Sequence, residues 1–377
     1  MISPRIRGFL ADRKPDEPCL VIDLEQVRRN YDAFRHAMPE SSVYYAVKAN
    51  PHPEVLRLLA DAGSNFDCAS VAEIHMALEA GATPARISFG NTIKKERDIA
   101  RAYELGVRMF AVDCVEEVGK VSRAAPGSRV FCRILTDGAG AEWPLSRKFG
   151  CDAAMSLTVL EEAHRAGLKP IGISFHVGSQ QTNHNGWDDA LETASEIFRE
   201  MEMRGIRLTM VNLGGGFPTR YLKSVPALAQ YGQSIYAAVR RFFGNRLPDT
   251  IIEPGRGMVG NAGVIRSEVV LVSKKSETDD VRWVYLDIGK FGGLAETMDE
   301  AIRYSIVTDR DQDGKSPCVL AGPTCDSADV LYEKNPYALP DTLQAGDEVF
   351  IEGTGAYTST YSAVAFNGFP PLRTFAI

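Results

Sequence analysis

Lys48 follows a short apolar stretch of the chain, and its position could make its amine a nucleophile. Residues 43–47 are rich in β-branched and aromatic side chains, and Asn50 and Pro51 close the stretch, a pattern typical of a buried strand. A lysine at such a strand end either extends its ammonium to water over apolar surface or, when desolvated, forms a Schiff base with a carbonyl compound. The other polar residues of the chain favour the second interpretation.

His176 and a run of three glycines are candidates for holding a flat, phosphorylated cofactor. His176 follows an apolar stretch and precedes Gly178 and Ser179, so its ring could stack on a cofactor while Ser179 donates to a phosphate; a structural histidine is the alternative. Gly214, Gly215 and Gly216 directly follow another apolar stretch. Their unhindered N–H groups could bind a phosphate, although glycine runs are also typical of tight turns.

Glu253 adds the group that decides which cofactor would fit. It begins the segment Glu253-Pro254-Gly255-Arg256, at the end of a further apolar stretch. A carboxylate beside a pyridine nitrogen keeps that nitrogen protonated, which makes pyridoxal phosphate a strong electron sink. A lysine, a stacking histidine, phosphate-binding glycines with Arg256, and this carboxylate together predict a pyridoxal 5'-phosphate site.

Cys325, Asp326 and Tyr357 are further candidates nearer the C-terminus. Cys325 lies in a polar segment between Pro323 and Asp326, where a thiol could donate a proton to a carbanion and the carboxylate could hold an ammonium group. A buried, unreactive cysteine is the alternative. The Tyr357 hydroxyl could contact a phosphate, or the ring could belong to the core.

Short apolar stretches alternate with segments of helical periodicity over about 230 residues, which predicts an α/β fold with a (β/α)8 TIM-like barrel. The predicted strands are 43–47, 65–66, 87–89, 109–112, 130–135, 171–175, 210–213 and 251–252. Since such barrels carry their active sites at the carboxyl ends of the strands, the polar residues there are expected to share one rim. They are Lys48, Asp67, Asn91, Asp113, Arg133, His176, Gly214 and Glu253.

From about residue 262 the helical segments give way to strand-like stretches punctuated by Gly and Pro. We therefore predict a pyridoxal-phosphate-binding barrel at 27–261 and a β-rich domain formed by 1–26 together with 262–377. The composition, with 45% hydrophobic and 24% charged residues and a net charge of −7, favours a globular protein that binds neither nucleic acid nor membrane. Seven scattered cysteines without a CxxC pair predict reduced thiols in a cytoplasmic protein without a metal site.

The motifs resemble those of the ornithine/lysine decarboxylase family, the pyridoxal-phosphate-dependent group IV decarboxylases of alanine-racemase-like fold. The resemblance runs from about residue 18 to the C-terminus and is carried by residues 45–50, 66–70, 175–179, 214–217, 253–256, 322–326, 355–357 and 366–369. It implies decarboxylation of L-ornithine, or also of L-lysine, to putrescine or cadaverine in polyamine biosynthesis. It also implies a homodimer whose active sites lie at the subunit interface.

The resemblance assigns a role to each matching residue. Lys48 would form the internal aldimine, His176 would stack on the ring, Glu253 would pair with its nitrogen, and Asp67 and Arg133 would support this region. Cys325 and Asp326 of the partner subunit would protonate the quinonoid carbon and bind the distal amine. The implied phosphate-binding residues are Ser179, Gly214, Gly215, Gly216, Gly255, Arg256 and Tyr357, and the implied bridge between subunits joins Lys148 to Asp329.

The segment that sets substrate length departs from the family pattern. Eukaryotic members carry a Tyr-Asp pair where this chain has Asp299-Glu300. One of the two acids is expected to face the distal ammonium, with Phe366 beside the substrate, so the preference for ornithine or lysine stays open. The alternatives on the same architecture are a diaminopimelate or carboxynorspermidine decarboxylase, an amino-acid racemase, and a non-catalytic homologue that binds an inhibitor.

Overall fold

A computed structural model describes residues 2–143 and 148–377 of the chain. The chain divides into two compact units. The barrel unit comprises Arg28–Pro218 and Val225–Met258, and the sheet unit comprises Met1–Val27, Thr219–Ser224 and Val259–Ile377.

The elements follow one another with few long connections. The strands are β1 (Cys19–Ile22), β2 (Ser41–Ala46), β3 (Asn65–Cys68), β4 (Ile87–Phe89), β5 (Met109–Val112), β6 (Arg129–Arg133), β7 (Ala141–Trp143), β8 (Lys169–Ser174), β9 (Ser179–Gln181), β10 (Met210–Asn212), β11 (Asp249–Ile252), β12 (Gly263–Ser273), β13 (Arg282–Leu286), β14 (Ser305–Thr308), β15 (Lys315–Ala321), β16 (Val330–Pro340), β17 (Glu348–Glu352) and β18 (Arg373–Ala376). The helices are α1 (Pro4–Arg13), α2 (Leu24–Ala37), α3 (Pro53–Asp61), α4 (Val71–Glu79), α5 (Glu96–Glu104), α6 (Val115–Ala124), α7 (Ala153–Arg165), α8 (Asp188–Met203), α9 (Leu228–Phe243) and α10 (Arg256–Val259).

Eight parallel strands close the barrel, in the order β10-β11-β2-β3-β4-β5-β6-β8. Each contains one of the eight predicted strands or overlaps it, so the predicted fold class is confirmed. Side chains of β2, β5, β6, β10 and β11 form a buried apolar cluster; they are Tyr44, Met109, Ala111, Phe131, Met210 and Ile251. Several helices begin at a capping side chain, as α4 does at Ser70, whose Oγ accepts a hydrogen bond from the N–H of Glu73.

The sheet unit is built on the long strand β12, which pairs with β1, β13 and β17. β1 lies between β12 and β18, antiparallel to the first and parallel to the second. The N-terminal strand therefore completes the C-terminal β-rich unit, as its apolar sequence predicted. Helix α1 covers this sheet through Ile6 and Leu10, which pack with Val21 and Phe350.

Across residues 2–143 and 148–377, no helix is both long enough and apolar enough to cross a membrane.

Candidate active site

The parallel strands bring the predicted polar residues to one rim of the barrel. Lys48 lies in a single 3-10 turn directly after β2, rather than on the strand itself. Asp67 lies within β3, Asp113 directly follows β5, Arg133 ends β6 and Glu253 directly follows β11. Because the carboxyl ends of parallel strands meet at the same edge, these side chains surround one site.

Lys48 lies within electrostatic reach of two carboxyl groups and a histidine. Its positive charge lowers the pKa values of Asp67, Glu73 and His176, against the effect of burial on the two acids. Glu73 also accepts a hydrogen bond from the Ala69 N–H at 2.6 Å. Its approach to Lys48 from the neighbouring helix α4 was not predicted from the sequence.

Asp67 is a buried carboxyl group at the rim. Burial raises its pKa well above the ordinary range, the charge of Glu253 raises it further, and Lys48 and Arg133 oppose both effects. Its Oδ1 has no hydrogen-bond partner among the described residues. A side chain on Gly90 would come within 1.9 Å of that oxygen, so only glycine fits beside it. An unpaired buried acceptor of this kind indicates a site that can take a further donor.

His176 is held as a neutral imidazole. Its Nδ1 accepts a hydrogen bond from the Gly178 N–H at 3.0 Å, so the ring proton is on Nε2. Burial, reinforced by the charges of Arg133 and Lys48, lowers its pKa to about 3. A Cβ at Gly215 would lie 3.4 Å from Nε2, so the glycine run passes close beside the ring. A neutral flat ring is suited to stacking on a flat aromatic ligand.

The lowered pKa of His176 predicts a pH-dependent stability of the protein without cofactor. Because the unfolded chain takes up a proton at a pKa near 6.5 and the folded site resists it, stability should fall as the pH drops below 6.5. Between pH 7 and pH 5 this contribution amounts to about 2 kcal/mol. In urea unfolding at both pH values, His176→Phe is expected to lose about 2 kcal/mol less than the unmodified chain. Equal losses in the two proteins would contradict the assigned state of His176.

The glycine run and Ser179 form a cradle suited to a phosphate. Gly214 and Gly216 have φ values of +67° and +96°, and an added Cβ would lie 2.1 Å from the Phe175 carbonyl oxygen or 2.6 Å from that of Gly178. Only glycine can adopt this backbone in this space. The N–H of Gly214 donates to Asn212 Oδ1 at 2.9 Å, which leaves the amides of Gly215 and Gly216 as the candidate phosphate donors of this run.

Arg256 completes the cradle from the next loop. The guanidinium is buried, and its Nε and Nη2 lie 3.3 and 3.1 Å from Ser179 Oγ. A guanidinium so placed presents fixed donors that match phosphate geometry. The loops after β8, β10 and β11 thus meet around one anion site.

Glu253 is oriented by a residue that sequence reasoning missed. Its Oε1 accepts a hydrogen bond from Asn212 Nδ2, and its N–H donates to the Gly214 carbonyl oxygen at 2.8 Å. Asn212 therefore fixes both the glycine run and the carboxylate. Asn212 is the last residue of β10, so it could have been predicted as a site residue from its position at a strand end.

Cys325 and Asp326 lie together on an exposed loop of the sheet unit. The Cys325 N–H donates to Asn367 Oδ1 at 3.0 Å, and Asp326 Oδ1 accepts from the Ala328 N–H at 2.8 Å. Asp329, which is 2% exposed, supports this loop by accepting from Thr324 Oγ1 at 2.8 Å and from the Lys290 N–H at 2.8 Å. The exposed Lys148 lies in the barrel unit with its Nζ 4.9 Å from the centre of the Phe149 ring.

The remaining predicted residues of the sheet unit precede or follow Cys325 and Asp326 in the sequence. Tyr357 is half-buried with a φ of +56°, and its ring centre lies 5.9 Å from that of Tyr361. Phe366 packs against Phe291 at a ring-centre distance of 4.8 Å. Asp299 and Glu300 both have positive φ values but differ sharply in their surroundings.

The carboxylate oxygens of Glu300 are occupied by hydrogen bonds from the same chain, whereas the side chain of Asp299 is exposed. The carboxylate of Glu300 is 8% exposed and accepts from Arg303 Nη1 at 2.8 Å and from Asn335 Nδ2 at 2.9 Å. The N–H groups of residues 333–335 donate to its other oxygen. Burial raises the pKa of Glu300, but these hydrogen bonds outweigh it and lower the pKa below its ordinary value. The Asp299 side chain is 86% exposed, with Lys334 Nζ 3.4 Å away.

Comparison with known proteins places this geometry in one family. Residues 24–260 match the family model described as "Pyridoxal-dependent decarboxylase, pyridoxal binding domain". A lysine/ornithine decarboxylase of Selenomonas ruminantium is 37% identical over 96% of this chain and 89% of its own length. The chain belongs to the pyridoxal-dependent decarboxylases.

Solved structures of this family superpose on both units of the chain. The lysine decarboxylase of Selenomonas ruminantium matches with a TM-score of 0.89 at 34% identity, over 100% of this chain and 96% of that chain. The lysine/ornithine decarboxylase of Vibrio vulnificus, solved with putrescine, matches with a TM-score of 0.88 at 31% identity, over 100% and 99% of the two chains. The protein is accordingly a carboxy-lyase whose cofactor is pyridoxal phosphate.

The residues of the barrel unit fit the cofactor of this decarboxylase family. The glycine-only cradle with Ser179 and Arg256 suits the phosphate, and the neutral ring of His176 suits a face of the pyridine. Asp67 supplies an unpaired buried oxygen beside Lys48 and Arg133. These features fit three different parts of pyridoxal phosphate. The cradle fits the phosphate, His176 fits the ring, and the region of Lys48 and Asp67 fits the aldehyde end.

Proposed function

We propose that the protein decarboxylates L-ornithine and L-lysine to putrescine and cadaverine, as a step of polyamine biosynthesis. The observation that carries the proposal is the exposed loop on which Cys325 and Asp326 follow one another, in a chain whose barrel rim fits pyridoxal phosphate. The Vibrio vulnificus lysine/ornithine decarboxylase, solved with both putrescine and cadaverine, supports this substrate class. An acidic side chain selects a dibasic substrate by charge.

In this proposal the barrel residues bind and orient the cofactor. When bound, pyridoxal phosphate supplies an electron sink for the pair left on Cα as CO2 departs. Lys48 would hold the cofactor at its aldehyde end through its amine, and Glu253 would hold a proton on the pyridine nitrogen. His176, neutral at pH 7, covers a ring face without adding a charge that would compete for those electrons. The amides of Gly215 and Gly216 and the Ser179 hydroxyl would donate hydrogen bonds to the phosphate, and the Arg256 guanidinium would balance part of its charge.

Cys325 and Asp326 are proposed to serve the barrel of a second copy in a homodimer. Cys325 Sγ returns a proton to Cα, so that the product keeps its amine, and Asp326 holds the distal ammonium of the substrate. A dimer is also supported by an apolar side chain exposed near this loop. Phe369 is 42% exposed and lines a surface cavity together with Pro323 and Thr324, and exposed apolar surface is typical of interaction sites.

The direct test is the decarboxylation of L-ornithine and L-lysine by the cofactor-loaded protein, measured side by side as kcat/KM. Turnover of both, with putrescine and cadaverine as products, is the expected result. Turnover of neither, alongside activity on L-arginine, diaminopimelate or carboxynorspermidine, would move the protein to a different substrate class. A loaded protein that turns over none of them would contradict the proposed enzyme and favour a binding homologue.

Cys325→Ala is expected to lower kcat at least about a hundredfold, as loss of a positioned general acid does, and to add the aldehyde product of misdirected protonation. Mixing this variant with Lys48→Ala tests the shared site, because random pairing leaves half of the dimers with one intact site. The mixture should recover about a quarter of normal activity. Full activity of Cys325→Ala, or no recovery on mixing, would contradict this role.

The Asp299–Glu300 pair provides a separate prediction on substrate binding. Because Glu300 is saturated by residues 303 and 333–335, we expect it to hold the segment in place while Asp299 faces the ammonium. Asp299→Asn should raise KM about tenfold with little change in kcat. Glu300→Gln should lower the unfolding temperature by several degrees, since it weakens buried hydrogen bonds to a charged group. The reverse pattern would assign the substrate to Glu300.

A further inference from the structure

Gln181 is a fully buried amide that links four segments of the barrel unit. It ends β9, two residues after Ser179, and its side chain is 0% exposed. Its main-chain N–H donates to the Gly216 carbonyl oxygen at 2.9 Å, and its carbonyl oxygen accepts from the Tyr231 hydroxyl at 2.8 Å. The backbone of Gln181 is therefore fastened to the glycine run on one side and to helix α9 on the other.

The side-chain amide of Gln181 also uses its nitrogen and its oxygen in hydrogen bonds. Nε2 donates to the Val177 carbonyl oxygen at 3.0 Å and to the Ala139 carbonyl oxygen at 2.8 Å. Oε1 accepts from the Asn183 N–H at 3.0 Å. Both amide hydrogens are therefore donated in hydrogen bonds, one to the loop between His176 and Ser179 and one to the segment that precedes β7.

Two glycines lie close against this amide. A Cβ at Gly140 would lie 2.7 Å from Gln181 Oε1, and a Cβ at Gly186 would lie 2.9 Å from Nε2. Two glycines therefore permit the close approach of the backbone to the carboxamide. A buried amide with all of its hydrogen bonds satisfied fixes the geometry of its partners more strictly than apolar packing does.

We propose that Gln181 is a positioning residue for the phosphate of the cofactor, although it does not touch the cofactor itself. Through Val177 it holds the turn that carries His176 and Ser179, and through Gly216 it holds the glycine run, so the two sides of the phosphate cradle share one support. This inference rests on the barrel site as the cofactor site and is independent of which amino acid is decarboxylated.

The test compares pyridoxal phosphate with pyridoxal, which differs from it only in the phosphate, and adds inorganic phosphate as a third ligand. Gln181→Met keeps nearly the same volume and removes every side-chain hydrogen bond, and Gln181→Glu keeps the acceptor and loses the donors. The matched control is Gln230→Met, because Gln230 is exposed and its Oε1 only caps α9 through the Ala227 N–H. Dissociation constants of the cofactor-free proteins are measured for pyridoxal phosphate, for pyridoxal without phosphate, and for inorganic phosphate.

Both Gln181 variants are expected to bind pyridoxal phosphate and inorganic phosphate about tenfold or more weakly, with the affinity for pyridoxal unchanged. Gln230→Met should bind all three ligands normally. Equal weakening for pyridoxal and pyridoxal phosphate would show a general structural defect and overturn the inference, as would normal phosphate affinity in either Gln181 variant.

A second variant keeps the inference testable if substitutions at Gln181 do not fold. Gly186→Ala leaves Gln181 intact but pushes its carboxamide away, since the added methyl would lie 2.9 Å from Nε2. It should reproduce the selective loss of phosphate affinity. An unchanged ratio of pyridoxal phosphate to pyridoxal affinity in Gly186→Ala would contradict the role of Gln181. Because none of these measurements uses turnover, failure of the proposed substrate would not affect the outcome.

Discussion

Lys48→Ala is expected to abolish decarboxylation, with a loss of more than about a thousandfold in kcat/KM. The variant retains the phosphate cradle, His176 and Glu253, but it lacks the only amine that the structure places beside Asp67 and Arg133 at this rim, among the described residues. The cofactor would then be held by non-covalent contacts alone. The measurement is steady-state CO2 release together with the absorbance of the bound cofactor.

Two further substitutions separate the role of the amine from that of the charge. Lys48→Arg keeps a positive charge near Asp67 and Glu73 but cannot act as a nucleophile, because a guanidinium does not lose its proton. It should be as inactive as the alanine variant. Lys169→Ala removes an exposed lysine from the start of β8, at the opposite rim, and should leave activity unchanged. Normal turnover in either Lys48 variant would contradict the proposed mechanism.

Glu253→Gln is expected to lower kcat at least about a hundredfold while the cofactor stays bound. Glutamine has nearly the same shape and can still accept from Asn212 Nδ2. It cannot hold a proton on a pyridine nitrogen by charge, so the bound ring would withdraw electrons less strongly. The phosphate cradle does not depend on this carboxylate, so the affinity for pyridoxal phosphate should change little.

A matched control for Glu253 stands at the other end of the same strand. Asp249 begins β11 and is exposed, so Asp249→Asn removes an acidic side chain from the opposite rim and should have no effect on kcat. If Glu253→Gln retained normal kcat with a full complement of cofactor, the role of its carboxylate at the ring nitrogen would be refuted.

The barrel could be predicted because its strands are short, apolar and regularly spaced. A strand buried on both faces carries an almost uninterrupted apolar run, so 109–112 and 87–89 were bounded correctly to the residue. The site followed from the same logic, since polar residues at the carboxyl ends of parallel strands must share a rim. Lys48 differs in detail: β2 ends at Ala46, and Asn50 N–H closes a turn on the Val47 carbonyl oxygen.

The sheet unit was harder to predict, because half-exposed strands lack such a run. β16 (Val330–Pro340) carries Glu333, Lys334 and Asn335 in its middle, all exposed, and so does not look like a strand. The backbone N–H groups of these three residues donate hydrogen bonds to the carboxylate of Glu300, more than 30 positions earlier in the chain. A contact of that sequence separation leaves no local pattern, and the choice between Asp299 and Glu300 therefore stayed open.

Asn212 and Gln181 show the same limit at the barrel site. Gln181 acts through hydrogen bonds to backbone groups of other loops, as at Ala139, 42 positions away. Asn212 acts through the Gly214 N–H and through the Glu253 carboxylate, 41 positions away. Their residue types carry no chemistry that would single them out, and only the closed arrangement of the strands brings their partners near. Groups that touch the cofactor could be inferred from their chemistry, whereas groups that hold them in place required the fold.

The most direct test of the cofactor site is to reduce the pyridoxal-phosphate-loaded protein with borohydride and to map the modified peptide by mass spectrometry. Reduction makes the link between cofactor and lysine permanent. The expected result is one pyridoxyl group per chain, on Lys48, and its complete absence from Lys48→Ala. A modified lysine elsewhere in the chain, or no stoichiometric labelling after addition of the cofactor, would contradict the assignment of this rim of the barrel as the active site.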